Sequence, residues 1–146
     1  MAAIGFYHLT RTPADAALPP LLGRTLAAGK RAVVRLGTED HLAALDRALW
    51  LCPEPDWLPH GTTQPALQPI WLTLQDERPN GATYLFLLDG QQTAMLEAFE
   101  RVFDLFDGTD AQAVAAARSR WTEFRQGGHA LSYWQQGPTA WTRGGS

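Results

Sequence analysis

Lysine is almost absent from this 146-residue chain: Lys30 is the only one, and arginine supplies every other cationic side chain. With a net charge of −3 and a pI near 5.7, the chain offers no broad basic face for gripping nucleic acid. Any direct contact with DNA has to rest on a small arginine patch. Cysteine is just as scarce. Cys52 alone permits no intramolecular disulfide and no cysteine-based metal site, and it reads as a reduced thiol. No segment approaches about 18 uninterrupted apolar residues, and the basic start of a signal peptide is missing. Repeats and low-complexity linkers are missing too. A single cytoplasmic domain over residues 1–146, without membrane contact, is the expectation.

Catalytic signatures are also lacking. Gly23 to Lys30 invites comparison with a phosphate-binding loop, but five residues separate Gly23 from Gly29 where four are needed. Arg31 stands where that loop requires Ser or Thr, and the segment closes a helix instead of opening one. His8, His41, His60 and His129 are scattered without metal spacing. Asp15, Asp40, Asp46, Asp56, Asp76 and Asp89 name no acid–base pair, and Ser119 and Ser132 lack a nucleophile elbow. No catalytic residue, metal or cofactor is expected.

What the chain does hold is enough apolar sequence, 45%, for one sizeable core, together with six tryptophans. Strands and helices alternate along it. Ala3 to Leu9 suits a buried first strand, and Thr12-Pro13 reads as an N-cap followed by proline in the first helical position. Pro19-Pro20 should break that helix, leaving Leu21 to Ala28 closed by Gly29. Arg31 to Leu36 follows as a second strand, so the first two strands should form a parallel pair with a right-handed crossover. Ile70 to Thr73 is a third strand, Asn80-Gly81 marks a turn, and Tyr84 to Leu88 reads as a central strand buried on both faces. A short helix is expected over Thr93 to Glu100, a strand over Val102 to Phe106, and the longest helix from Thr109-Asp110 to Gly127-Gly128. The segment from His129 to Ser146 should lie along the domain surface. This order predicts a three-layer α/β/α, Rossmann-like domain with a largely parallel sheet and no phosphate loop.

Two stretches stand out. Thr38 to Leu51 forms an amphipathic helix, with Thr38 as N-cap, Glu39 and Asp40 in the first turn, and Leu42, Leu45 and Leu49 in register. Pro53, Pro55 and Pro59 keep the following segment irregular, and Trp50 and Trp57 flank it. Those tryptophans either cover the domain's own core or form a docking patch. On the last helix, Val114, Arg118, Trp121 and Arg125 make an i, i+4, i+7, i+11 row. Solvated arginines flanking a core tryptophan would give this pattern. So would a site for something both anionic and apolar, because guanidinium forks bind carboxylates and an indole face supplies apolar area.

The run Leu45-Asp46-Arg47-Ala48-Leu49-Trp50, followed by Trp57-Leu58-Pro59-His60, resembles the chi subunit family of the bacterial DNA polymerase III holoenzyme. So does the pattern Arg118, Arg120, Trp121, Phe124, Arg125, and the order of elements extends the resemblance over nearly the whole chain. The resemblance implies a non-catalytic accessory subunit that ties the clamp loader to coated single-stranded DNA. It implies that Arg118 and Arg125 meet the acidic C-terminal tail of single-stranded-DNA-binding protein (SSB) and that Trp121 walls a pocket for the tail's apolar end. Val114 and Thr122 stand where chi proteins can carry lysines, so more of the binding should fall to Trp121. It also implies that Trp50 and Trp57, with Pro59 and His60, belong to the surface that docks the psi subunit. A different clamp-loader or helicase-like partner is the alternative there. Two other readings remain open: a Rossmann-like nucleotide- or DNA-processing enzyme, and a direct single-stranded DNA binder stacking bases on tryptophans.

Overall fold

A computed structural model describes residues 3–52, 58–137 and 141–144. Its centre is an eight-stranded sheet of β1 (Ala3–Leu9), β2 (Ala32–Arg35), β3 (His60–Gly61), β4 (Ile70–Thr73), β5 (Tyr84–Leu87), β6 (Arg101–Asp107), β7 (Ala130–Gln136) and β8 (Trp141–Arg143). The spatial order is β3-β4-β2-β5-β6-β1-β7-β8. Every neighbouring pair is parallel except β7 and β8. The expected β1–β2 neighbours are parallel members of one sheet, but β5 and β6 lie between them. Their continuous apolar runs need cover on both faces, and the middle of a parallel sheet provides it.

Three helices supply that cover: α1 (Ala14–Ala27), α2 (Glu39–Leu51) and α3 (Ala111–Gln126). Alternation along the strands sorts the core into two layers. Tyr7, Val34, Phe86 and Leu105 face α1 and α2, where Leu18, Leu22, Leu45 and Leu49 are buried. Phe6, Val33, Leu85 and Phe106 face the other way, toward Ala117 of α3. This is the three-layer α/β/α arrangement. Among the described residues no helix is long and apolar enough to cross a membrane.

Helix α1 runs unbroken through Pro19 and Pro20. Each proline removes one helical N–H donor, at a cost that approaches about 3 kcal/mol in a helix interior. Burial of Leu18, Leu21 and Leu22 offsets it, since each contributes about 1.5–3 kcal/mol. The helix opens at Ala14 with Pro13 as its cap residue, not Thr12. The Thr12 hydroxyl is instead held by the Gln136 amide of β7 at 2.6 Å. Its other end is the glycine stop expected from sequence. Gly29 has φ +75°, and the N–H groups of Gly29 and Lys30 donate to Leu26 and Thr25. Residues 23–30 therefore do close a helix.

Thr38 caps α2 by accepting from the His41 N–H at 3.1 Å. The helix expected over Thr93 to Glu100 shrinks to one 3₁₀ turn, Leu96–Ala98. Asp76 takes the Thr93 hydroxyl and the Ala94 N–H, while the Glu100 N–H donates to Thr83 in line with the sheet. These competing bonds leave too few residues for an α-helix. The segment after Gly128 lies along the edge of the domain as expected, and does so as β7 and β8.

Helix α3 is fixed to the sheet by a buried ion pair. Arg120 donates from Nε and Nη2 to the two Asp104 carboxylate oxygens, at 2.7 and 3.0 Å. Burial pushes the Asp104 carboxyl up, and the guanidinium opposes that push. Arg120→Ala should therefore cost about 3–5 kcal/mol in urea unfolding, because it strands a buried carboxylate. The double change Arg120→Leu with Asp104→Leu should recover most of that loss.

Candidate functional site

The side of α3 turned toward β7 forms one wall of a groove of about 370 Å³. Val114, Arg118, Trp121 and Thr122 line that wall, with buried Ala117 at its base. Phe6 and His8 of β1, Phe106 of β6 and Tyr133 of β7 complete the groove. Four residues singled out on the last helix are thus brought together. Arg125 is not: it is exposed in the last turn of α3, outside the groove, where its charge complements the helix dipole.

The groove is built from interlocked rings. Trp121 meets Phe6 edge-on with centroids 5.3 Å apart, and Tyr133 edge-on at 6.4 Å. His8 stacks on Phe106 at 5.0 Å, and its Nδ1 is hydrogen-bonded to the Tyr133 hydroxyl. Gly108 makes room for this, since a Cβ there would lie 2.1 Å from the His8 ring. Burial raises the Tyr133 pKa and the charge of Arg118 opposes the rise, so the guanidinium faces the phenol. Arg118 is exposed and has no carboxylate partner among the described residues. The result is an apolar slot with an uncommitted cation on its rim.

Phe6, His8, Phe106 and Tyr133 were not legible as site residues. Their signal is the alternation of β1, β6 and β7, but the apolar runs containing them do not say which parity faces α3.

A second surface lies at the end of α2. Trp50 is 66% exposed and its neighbour Leu51 is 73% exposed. The Trp50 ring rests 4.7 Å from the His60 ring, which is buried. His60 is held by backbone, with Nδ1 2.7 Å from the Leu58 carbonyl and Nε2 3.2 Å from the Asp46 carbonyl. Pro59 is half-buried beside it. Trp57 lies outside the described residues. Leu67, 69% exposed, is a large apolar side chain that sequence reasoning did not single out.

The third feature is a crevice of about 780 Å³ at the C-terminal ends of β1, β5 and β6, where open α/β sheets commonly take ligands. Its mouth is crossed by charge. His41 is set between Asp15, 2.7 Å from Nε2, and Asp89, 2.6 Å from Nδ1. Asp89 also accepts from the Gly37 N–H and adopts φ +55°. Hydrogen bonds to Asp15 and then Asp89 push the His41 pKa up to about 10, and the same contact holds Asp89 low. A histidine protonated at neutral pH has no free lone pair and cannot act as a general base there. The other polar groups at the crevice are also engaged: Asp107 with Thr109, Asp110 with the Gln112 N–H, and Arg120 with Asp104. The crevice is a set of mutually satisfied contacts, not an open constellation. Among the described residues no group is placed to hold a metal ion.

The fold places the chain among single-domain, Rossmann-like α/β proteins. It belongs to the DNA polymerase III chi subunit family (HolC), whose family model matches residues 1–132. That match spans all three helices and runs into β7. A comparison with curated proteins found no match.

The His41 bridge has a defined pH signature. Its folded pKa lies above the ordinary value of 6.5, so its stabilisation is full below pH 6.5 and is lost as pH climbs toward about 10. The site is partly open to solvent, which keeps the effect on the order of 1 kcal/mol. His41→Gln should lower Tm by roughly 3 °C at pH 6. Thermal melts across the range should show the gap closing near pH 10.

Proposed function

We propose that this chain is a non-catalytic accessory subunit of the replicative polymerase, an adaptor that binds the C-terminal tail of SSB. The tail would lie in the α3 groove, and the Trp50 surface would dock the clamp-loader side, through psi or another clamp-loader or helicase-like partner. The observation that carries this reading is the groove itself. It combines an aromatic slot with the unpaired Arg118 guanidinium at its rim. An acidic peptide ending in an apolar residue and a free carboxylate asks for that combination. The apolar end would enter between Trp121, Phe6 and Tyr133, and Arg118 would meet the terminal carboxylate. Arg125, one turn beyond the groove, would act at longer range on the acidic residues upstream.

The volume supports a short, anchored segment over a whole folded partner, since pockets for small ligands begin at about 300 Å³. With leucine and tryptophan exposed at the end of α2, the second surface has the composition of an interface core.

Titration with a tail peptide tests the first half. Arg118→Ala should weaken binding about tenfold or more, as expected for loss of a charge-assisted hydrogen bond. Arg125→Ala should weaken it less, because that residue stands outside the groove. Trp121→Ala should also weaken binding yet leave the salt dependence nearly intact, since both cations remain. Arg47→Ala serves as the control. If all of these variants bind like wild type, the groove is not the tail site.

The second half is tested with Trp50→Ala. A 66% exposed side chain contributes little to folding, so the melting curve should barely move. Association with the clamp-loader partner should fall by ~2 kcal/mol, the loss typical of a hot-spot aromatic. Unfolding of the isolated variant would mean instead that Trp50 serves the core.

A further inference from the structure

The opposite face of β1 and β7 carries a second concentration of aromatics and arginines, which the tail reading leaves unused. Side chains alternate along a strand, so Phe6 and Tyr133 point into the α3 groove while Tyr7 and Trp134 point away from it. Tyr7 and Trp134 are paired in register, and their rings lie nearly parallel, 11° apart with centroids 6.1 Å apart. Trp141 of β8 closes edge-on against Tyr7 at 5.0 Å. Tyr7 folds back over Gly5, where a Cβ would come within 2.8 Å of its ring. Helices α1 and α2 cover the middle of this face, whereas Trp134 and Trp141, both half-buried, form the cover at its β7–β8 end.

Three guanidiniums rim these rings. Arg143 lies over Trp134, 5.8 Å from the ring centroid. Arg101 hydrogen-bonds Tyr7, and the charges of Arg101 and Arg24 both oppose the rise that burial imposes on the Tyr7 pKa. All three arginines are exposed, and none has a carboxylate partner among the described residues. In a chain of net charge −3, this is a local reversal of sign.

We propose that this face is a contact site for single-stranded nucleic acid, with bases stacking on Trp134 and Trp141 and phosphates meeting Arg24, Arg101 and Arg143. Indole planes accept any base, and guanidiniums at the rim follow a backbone. A duplex keeps its bases stacked inside and cannot use the indoles. An acidic peptide would use the cations but has no planar groups to lay on the rings. Three phosphate contacts on an acidic protein give weak, strongly salt-dependent binding. Because the site lies on the other side of the sheet, a strand held here does not compete with a peptide in the α3 groove.

The test is fluorescence anisotropy of a labelled oligothymidylate with the full chain at low and rising salt. Wild type should bind with a log–log salt slope of about −2, the value for three phosphates on a single strand. The double variant Arg24→Gln with Arg143→Gln should reduce that slope to about −0.7. Trp141→Ala should weaken binding roughly tenfold with the slope retained. Arg118→Ala, on the opposite face, should bind like wild type. Absence of binding at low salt overturns the proposal. So does an unchanged slope in the arginine double variant, a loss caused by Arg118→Ala, or equal binding of a duplex or of polyglutamate. Arg24 and Arg143 are exposed, so the double variant decides the matter even where Trp141→Ala fails to fold.

Discussion

The ion pair between Asp104 and Arg120 sets the rotation of α3, and much of the molecule's outer chemistry follows from that rotation. A bidentate pair between a strand and a helix admits few relative orientations. With Arg120 locked inward, Trp121 is turned to the flank of the helix, against Phe6 and Tyr133, while Arg118 reaches the rim. Asp110 adds to this by capping the helix at Gln112, which fixes where its first turn begins. The groove is thus a consequence of how the helix is pinned, not of any residue within the groove.

The sheet gives β1 two roles. It is hydrogen-bonded on both sides, to β6 and β7, and its side chains alternate between two separate layers. Phe6 and His8 form the groove, and one residue between them, Tyr7, anchors an aromatic stack on the other face. Close packing is bought by glycine at two points: Gly5 beneath the Tyr7 ring and Gly108 beside His8. The crevice at the strand ends, where a Rossmann-like fold would ordinarily take a ligand, is instead closed by the protein's own Asp15, His41 and Asp89. Function in this chain has moved from the strand ends to the faces and edges of the sheet.

Much of the architecture was legible because local rules and tertiary demands agree. The strands β1 and β4, the Thr38 cap of α2, the Gly29 stop of α1 and the turn at Gly81 all follow from hydrophobic period, capping chemistry or positive φ. Where the two disagree, the tertiary structure prevails. Burial of Leu18, Leu21 and Leu22 carries α1 through Pro19 and Pro20, and Asp76 draws Thr93 and Ala94 out of a helix. The site was half visible for the same reason. Val114, Arg118, Trp121 and Thr122 share one helix and could be grouped by helical geometry, whereas Phe6, His8, Phe106 and Tyr133 come from three strands.

The sequence by itself determined the element types, the parallel α/β class and the helix face that carries the arginine–tryptophan row. Those depend on contacts between residues close in the chain, where spacing decides which side chains meet. Only the tertiary structure decided that β5 and β6 separate β1 from β2, that Arg120 turns inward while Arg118 stays free, and that His41 joins two distant carboxylates. Each of these joins positions far apart in sequence. The choice among such partners is made by which packing buries both faces of the sheet and leaves no charge unpaired inside, and no local spacing encodes that.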